Sequence, residues 1–308
     1  MLVGRSQKVQ PIRQRQVFTL DEEPPNLRGL LFMQKQDASV EVLRYSGESD
    51  PDTPPDIPEE AVTKLGIYIS VDGIGQDWDK HRAQIRDWFH GGEDYGVSLP
   101  GPVVGIHEGE GKNTLHDGVR ILKNTMYLKA LQSGRCSSRS VREKAYKNDP
   151  SVKTIYDQLQ QSLRVGRQVT FMAHSGGASQ VALALALAVE DGGAEAQAAV
   201  ADKVRFLGTA PAGHRKDLEW SGVKPENIMI TGSKRDPVFR FFRNHLDHAR
   251  PLTFLKFLFD GAGAAARFLL EPGPYHQGEY IFGLHRTEEG HNIKKFLDGG
   301  AGKDFPLP

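Results

Sequence analysis

The segment Val169–Val181 reads VTFMAHSGGASQV, an apolar β-branched run that turns sharply into an Ala/Leu-rich stretch. Ser175 stands at the apex of that turn, between His174 and the pair Gly176-Gly177. Ala173 and Gly177, two residues to either side, are small enough for another part of the chain to approach closely. A serine at the start of a helix sits where aligned amide dipoles favour developing negative charge. The chemistry open to it is nucleophilic attack, provided a base takes its proton, because a serine hydroxyl is neutral at pH 7. The plain alternative is a serine N-cap in a glycine-rich turn. Acids and imidazoles follow later. Asn227–Val238 (NIMITGSKRDPV) is an apolar run ending in a polar turn, with Asp236 directly before Pro237. Residues 278–297 (GEYIFGLHRTEEGHNIKKFL) read as a last strand, Tyr280–Leu284, then a loop carrying His285 and His291, then a closing helix with Ile293, Phe296 and Leu297 on its apolar side.

Strand, tight turn and helix with serine at the apex resemble the nucleophile elbow of the α/β-hydrolase superfamily, G-x-S-x-G, with Ala173 in place of the first glycine. The likeness spans residues 64–300 and rests on three short motifs in the order serine, acid, histidine. It implies Ser175 as nucleophile, Asp236 as the acid and His291 as the base, with Asp217 and His285 as the weaker competitors. It also implies an oxyanion hole made by the amide of Gly176 and by Gly73 or Ile74, in the turn Asp72-Gly73-Ile74-Gly75 that follows an apolar run. Asp72 stands where histidine is common in the family. A carboxylate facing an oxyanion would oppose it, so Asp72 is expected to bond the amides of its own loop. The activity implied is cleavage of a carboxylic ester through an acyl-enzyme, lipase-like or esterase-like, on a small-molecule ester or acyl-lipid and without a cofactor. An amidase or thioesterase would use the same triad. A non-catalytic scaffold of the same fold, binding a partner protein through its N-terminal arm and cap, is the alternative from another class.

Gly105-Ile106-His107-Glu108-Gly109 closes another apolar run. Side chains at the C-terminal edge of a strand face the crevice of an open α/β sheet. His107 is therefore assigned, with His174, to substrate contact. HEGEG lacks the HExxH spacing, and no metal is expected; the glycines of DGIGQ and GEGEGK fit neither a P-loop nor a dinucleotide fingerprint.

The elements that must position these residues alternate. Residues 66–71, 102–106, 169–173, 204–208 and 228–231 are apolar on both faces, as central strands of a parallel sheet are. Between them, residues 77–89, 114–131, 151–163 and 178–190 have helical periodicity. The expected fold is α/β, a mainly parallel central sheet with helices on both faces; the resemblance makes it the α/β-hydrolase fold. Residues 237–279, with FRFF and PLTFLKFLFDGAGAAARFLL, break the alternation and read as a buried helix pair, as a helical cap with an apolar inner wall, or as a membrane-surface contact; the resemblance implies the cap. Residues 1–60 form a separate N-terminal part ahead of the hydrolase domain at 61–308: a loose arm over 1–28, a hairpin over 29–46 around Lys35-Gln36-Asp37, and an acidic, proline-rich loop over 47–60.

Composition narrows the partners. The chain has 308 residues, with 39 Lys+Arg against 39 Asp+Glu. This balance argues against nucleic acid, which selects a basic face. Hydrophobic content is 38% and mean hydropathy −0.46, with no run long enough to span a membrane. A single cysteine, Cys136, excludes an internal disulfide and cysteine-based zinc sites. Met1–Arg15 lacks the apolar core of a secretory signal, so a cytoplasmic location is expected.

Overall fold

The computed structural model describes residues 16–18, 27–34, 39–44, 57–73, 77–90, 99, 102–109, 114–209, 211–233, 288–302 and 305–307. Among these residues the nine strands are β1 (Gln16–Phe18), β2 (Leu30–Gln34), β3 (Val40–Arg44), β4 (Ile67–Val71), β5 (Val103–His107), β6 (Val169–His174), β7 (Val204–Thr209), β8 (Ile228–Ser233) and β9 (Phe305–Leu307). They form one sheet in the order β1-β3-β2-β5-β4-β6-β7-β8-β9. From β5 to β9 every pairing is parallel, while β2 joins β5 antiparallel and brings β3 and β1 with it. The hairpin expected ahead of the main body thus shares its sheet.

Among the described residues the α-helices are α1 (Trp78–His90), α2 (Thr114–Gln132), α3 (Ser138–Asn148), α4 (Pro150–Arg164), α5 (Gly177–Lys203), α6 (Arg215–Trp220) and α7 (Glu288–Leu297). Alternation along the strands divides the core in two. Ile67, Ile69, Val71, Val104, Ile106, Val169, Phe171, Val204, Phe206 and Ile228 point to one side, where α2 to α5 pack. Tyr68, Val103, Met172, Leu207 and Met229 point to the other, where Trp78 and Ile85 of α1 and Ile293, Phe296 and Leu297 of α7 cover them. The sheet is buried on both faces, as continuous apolar strands require. The fold is α/β with a mostly parallel mixed sheet between two helical layers.

Several expectations are corrected. Three residues of the N-terminal arm, read as loose or docked on the body, form a strand: Gln16–Phe18 pair with Val40–Val42 at the edge of β3. The C-terminal tail adds β9 beside β8. Helix α3 has no strong apolar period, because only Val141 and Ala145 of it are buried; Ser137 caps it, accepting from the amide of Ser140. Helix α5 continues beyond Glu190 across a break at Gly193, whose φ of +61° suits glycine. Helix α7 begins at Glu288, which places His291 within the helix and not in the loop before it. The strand expected at 280–284 and the cap at 237–279 lie outside the described residues.

Helix α7 is tied to the sheet by polar contacts as well as by packing. Tyr68 Oη donates to the carbonyl of Leu297 at 2.9 Å. Arg205 Nη2 donates to the carbonyls of Phe296 and Gly300, both at 2.6 Å, and its guanidinium lies over the Phe296 ring, 4.3 Å from the centroid. Burial, helped by the Asp298 charge and opposed by Arg205, pushes the Tyr68 phenol up to about 12. The folded state thus prefers the neutral phenol, while an unfolded tyrosine ionises near pH 10. The stability tied to this preference is whole below pH 10 and is lost as pH rises towards 12, a decline of about 2–3 kcal/mol. Denaturant titrations at pH 9 and pH 11.5 should show a smaller alkaline loss in Tyr68→Phe than in wild type.

Candidate active site

The chain passes from β4 to β5 on one side of β4, then returns to place β6 on the other. The helices after β4 and β6, α1 and α5, pack on opposite faces of the sheet. Their entry turns lie at the carboxyl ends of the strands, where ligands of open α/β sheets usually bind. Gly73 and Ser175 occupy these two turns.

Ser175 has φ +46°, the only positive value at a non-glycine position among the described residues. Such a conformation costs about 1–3 kcal/mol and persists only where the surroundings enforce it. Here the Ser175 amide donates to the Thr209 carbonyl at 3.0 Å, and the Ser175 carbonyl accepts from the amide of Ala212 at 2.8 Å. The turn is thereby pinned to the end of β7. Two glycines then lock it against β4. A Cβ on Gly73 would lie 2.8 Å from His174 Cδ2 and 2.9 Å from Ser175 Cβ, and one on Gly177 would lie 2.5 Å from the Asp72 carbonyl oxygen. The close approach anticipated for Gly177 is an approach to β4. Gly176 precedes α5, so its amide is among those with no acceptor inside the helix. Ser175, Gly176 and Gly73 are therefore brought together at one point.

The other expected site residues fall differently. Ile74, Asp236 and His285 lie outside the described residues. The backbone of His291 belongs to α7, and its side chain is not among the described atoms. His174 is buried beside Gly73, with Nδ1 3.2 Å from Thr209 Oγ1. Asp217, the weaker candidate for the acid, accepts from Lys129 Nζ at 2.6 Å and Gln132 Nε2 at 2.9 Å, and so ties α6 to α2.

His107 and Glu108 do not face a crevice. Glu108 is buried against Arg120 in an ion pair. His107 has no exposed surface, and its Nδ1 contacts Asp72 Oδ2 and lies 3.3 Å from His81 Nδ1. The expected role of His107 in substrate contact has no support in this placement. Asp72 is expected to bond the amides of its own loop, of which 74–76 lie outside the described residues; among those described, its Oδ1 accepts from the Glu108 amide at 2.8 Å on the neighbouring strand end. Its Oδ2 lies 3.5 Å from His81 Nδ1. Burial, partly opposed by the Asp72 charge, pushes the His81 imidazole down to about 4, so it is neutral at pH 7. Sequence reading missed His81. The signal was its place on the apolar side of α1, between Trp78 and Ile85, where a polar residue needs a partner.

Ser175 itself is 1% exposed. A cavity of about 10 Å³, lined by Ala178, Pro211, Gly213, His214 and others, adjoins the turn; that is room for one water, not for a substrate. Comparison of the chain with protein-family models, curated proteins and solved structures finds no match. Among the described residues, no helix is long and apolar enough to cross a membrane.

Proposed function

We propose that the chain is a serine hydrolase of the α/β-hydrolase type, cleaving carboxylic esters through an acyl-enzyme on Ser175. The observation that carries this reading is the strained backbone of Ser175 at a strand-to-helix turn, interlocked with the Gly73 turn. Strain at one non-glycine residue, enforced by its surroundings, belongs with function more than with folding. In this reading His291 takes the Ser175 proton as Oγ attacks the ester carbon, then returns it to the leaving alcohol. Asp236 holds the imidazole in the required tautomer and stabilises the imidazolium. The amide of Gly176, with that of Gly73 or Ile74, donates to the oxyanion. Water activated by the same imidazole releases the acid. The apolar segment 239–270 supplies the wall for an acyl chain, which favours acyl esters and lipids over amides.

A p-nitrophenyl ester series of increasing acyl length tests this. The expected result is turnover that rises from acetate to medium chains, exceeds that of matched anilides, and disappears in Ser175→Ala. A second reading is favoured by the burial of Ser175: a scaffold that keeps the hydrolase turn without its chemistry. It expects no turnover on any ester and identical behaviour of wild type and Ser175→Ala.

A further inference from the structure

We propose that Asp72, His81 and His107 bind one divalent transition-metal ion of the zinc class, which ties the carboxyl ends of β4 and β5 to α1 and so fixes the turn carrying Gly73. The proposal stands whether or not the chain is a hydrolase, because it concerns residues with no part in the acyl-transfer reading.

The three side chains come from three elements, and their ligand atoms all lie within 4.8 Å of one another with no exposed surface. Tetrahedral zinc binds imidazole nitrogen and carboxylate oxygen at about 2.0–2.2 Å, which sets neighbouring ligand atoms about 3.3–3.5 Å apart. His81 Nδ1 lies 3.3 Å from His107 Nδ1 and 3.5 Å from Asp72 Oδ2. Two edges of the triangle already have the required length. On the third edge His107 Nδ1 and Asp72 Oδ2 are in closer contact, and a small outward swing of the carboxylate opens it.

The surroundings aim these atoms inward. Ser70 Oγ is 3.2 Å from His81 Nε2 and able to accept from its N–H, the tautomer in which the Nδ1 lone pair faces the cluster. The Glu108 amide occupies Asp72 Oδ1 and turns Oδ2 the same way. Outer contacts of this kind fix the tautomer and orientation of metal ligands. Asp72 Oδ2 is buried, and the polar groups it meets among the described residues are the two imidazoles of His81 and His107. A buried carboxylate oxygen in that position is costly unless a cation compensates it. Two imidazoles and one carboxylate suit zinc, cobalt or nickel, whereas magnesium and calcium favour all-oxygen sets. The competing arrangement has a hydrogen bond between the His107 ring and Asp72 Oδ2 in place of the ion.

The test uses the full chain without a polyhistidine tag, stripped with a chelator and titrated with Zn2+, Co2+ and Mg2+. The expected result is one equivalent of Zn2+ bound and a visible absorption band of tetrahedral Co2+ that Zn2+ displaces. Mg2+ should not bind. Zn2+ affinity should fall at least about 100-fold in His81→Gln and in Asp72→Asn, and about 10-fold to 100-fold in Ser70→Ala, which keeps all three ligands. The idea is overturned if folded wild-type protein takes up less than a tenth of an equivalent of Zn2+. It is equally overturned if folded His81→Gln binds Zn2+ as tightly as wild type. The wild-type titration decides the matter even if a ligand variant fails to fold, and it needs no measurement of turnover.

Discussion

Replacing Ser175 with alanine is expected to lower kcat for ester hydrolysis on the order of 10^4-fold or more, while leaving the fold intact. The size follows from the chemistry, since without Oγ no acyl-enzyme forms and only the oxyanion donors and binding remain. Stability should change by no more than about 0.5 kcal/mol, because alanine at this φ is strained much as serine is. Ser175→Gly separates strain from chemistry. It removes the same hydroxyl but relieves a backbone cost of about 1–3 kcal/mol, less about 0.4–1 kcal/mol for the added freedom of the unfolded chain. The glycine variant should therefore be inactive and about 1 kcal/mol more stable than wild type by denaturant titration. A glycine variant less stable than wild type would mean that the hydroxyl, not the geometry, is what the turn selects.

The second large effect concerns the base. His291→Ala should cost on the order of 10^3-fold or more in kcat, whereas His285→Ala should stay within about tenfold of wild type. The difference rests on where α7 sits. His291 is in its first turns, and the helix is held by Tyr68 of β4 and Arg205 of β7, the strands on either side of the one that ends at Ser175. A side chain on an anchored helix is more reproducibly placed than one on a loop. The opposite ranking of the two variants would transfer the role to His285.

Much of the fold was legible because its strands are covered on both faces and therefore read as unbroken apolar runs. Val169–His174 and Val204–Thr209 extend one residue beyond the runs that announced them. The short edge strand Gln16–Phe18 and the tail strand Phe305–Leu307 were not legible, since each is three residues long and its partner is distant in sequence. At the site, the serine turn was visible from residue types alone, and the structure adds the positive φ of Ser175 and its lock against Gly73. What the sequence hid was the use of Asp72 and His107. Read singly, Asp72 was a residue bonding its own loop and His107 one lining a crevice. Only the packing of α1, which brings His81 over them, reveals a closed cluster. No spacing rule links residues on a strand end, a helix and a second strand end.

The most direct measurement is reaction of the native chain with a small fluorophosphonate, followed by mass mapping of the adduct. The account predicts a single phosphonyl group on the peptide containing Ser175, absent in Ser175→Ala and blocked by prior acylation with a slow ester. An unlabelled, folded wild-type chain, or label borne on another residue with Ser175 unmodified, would contradict it.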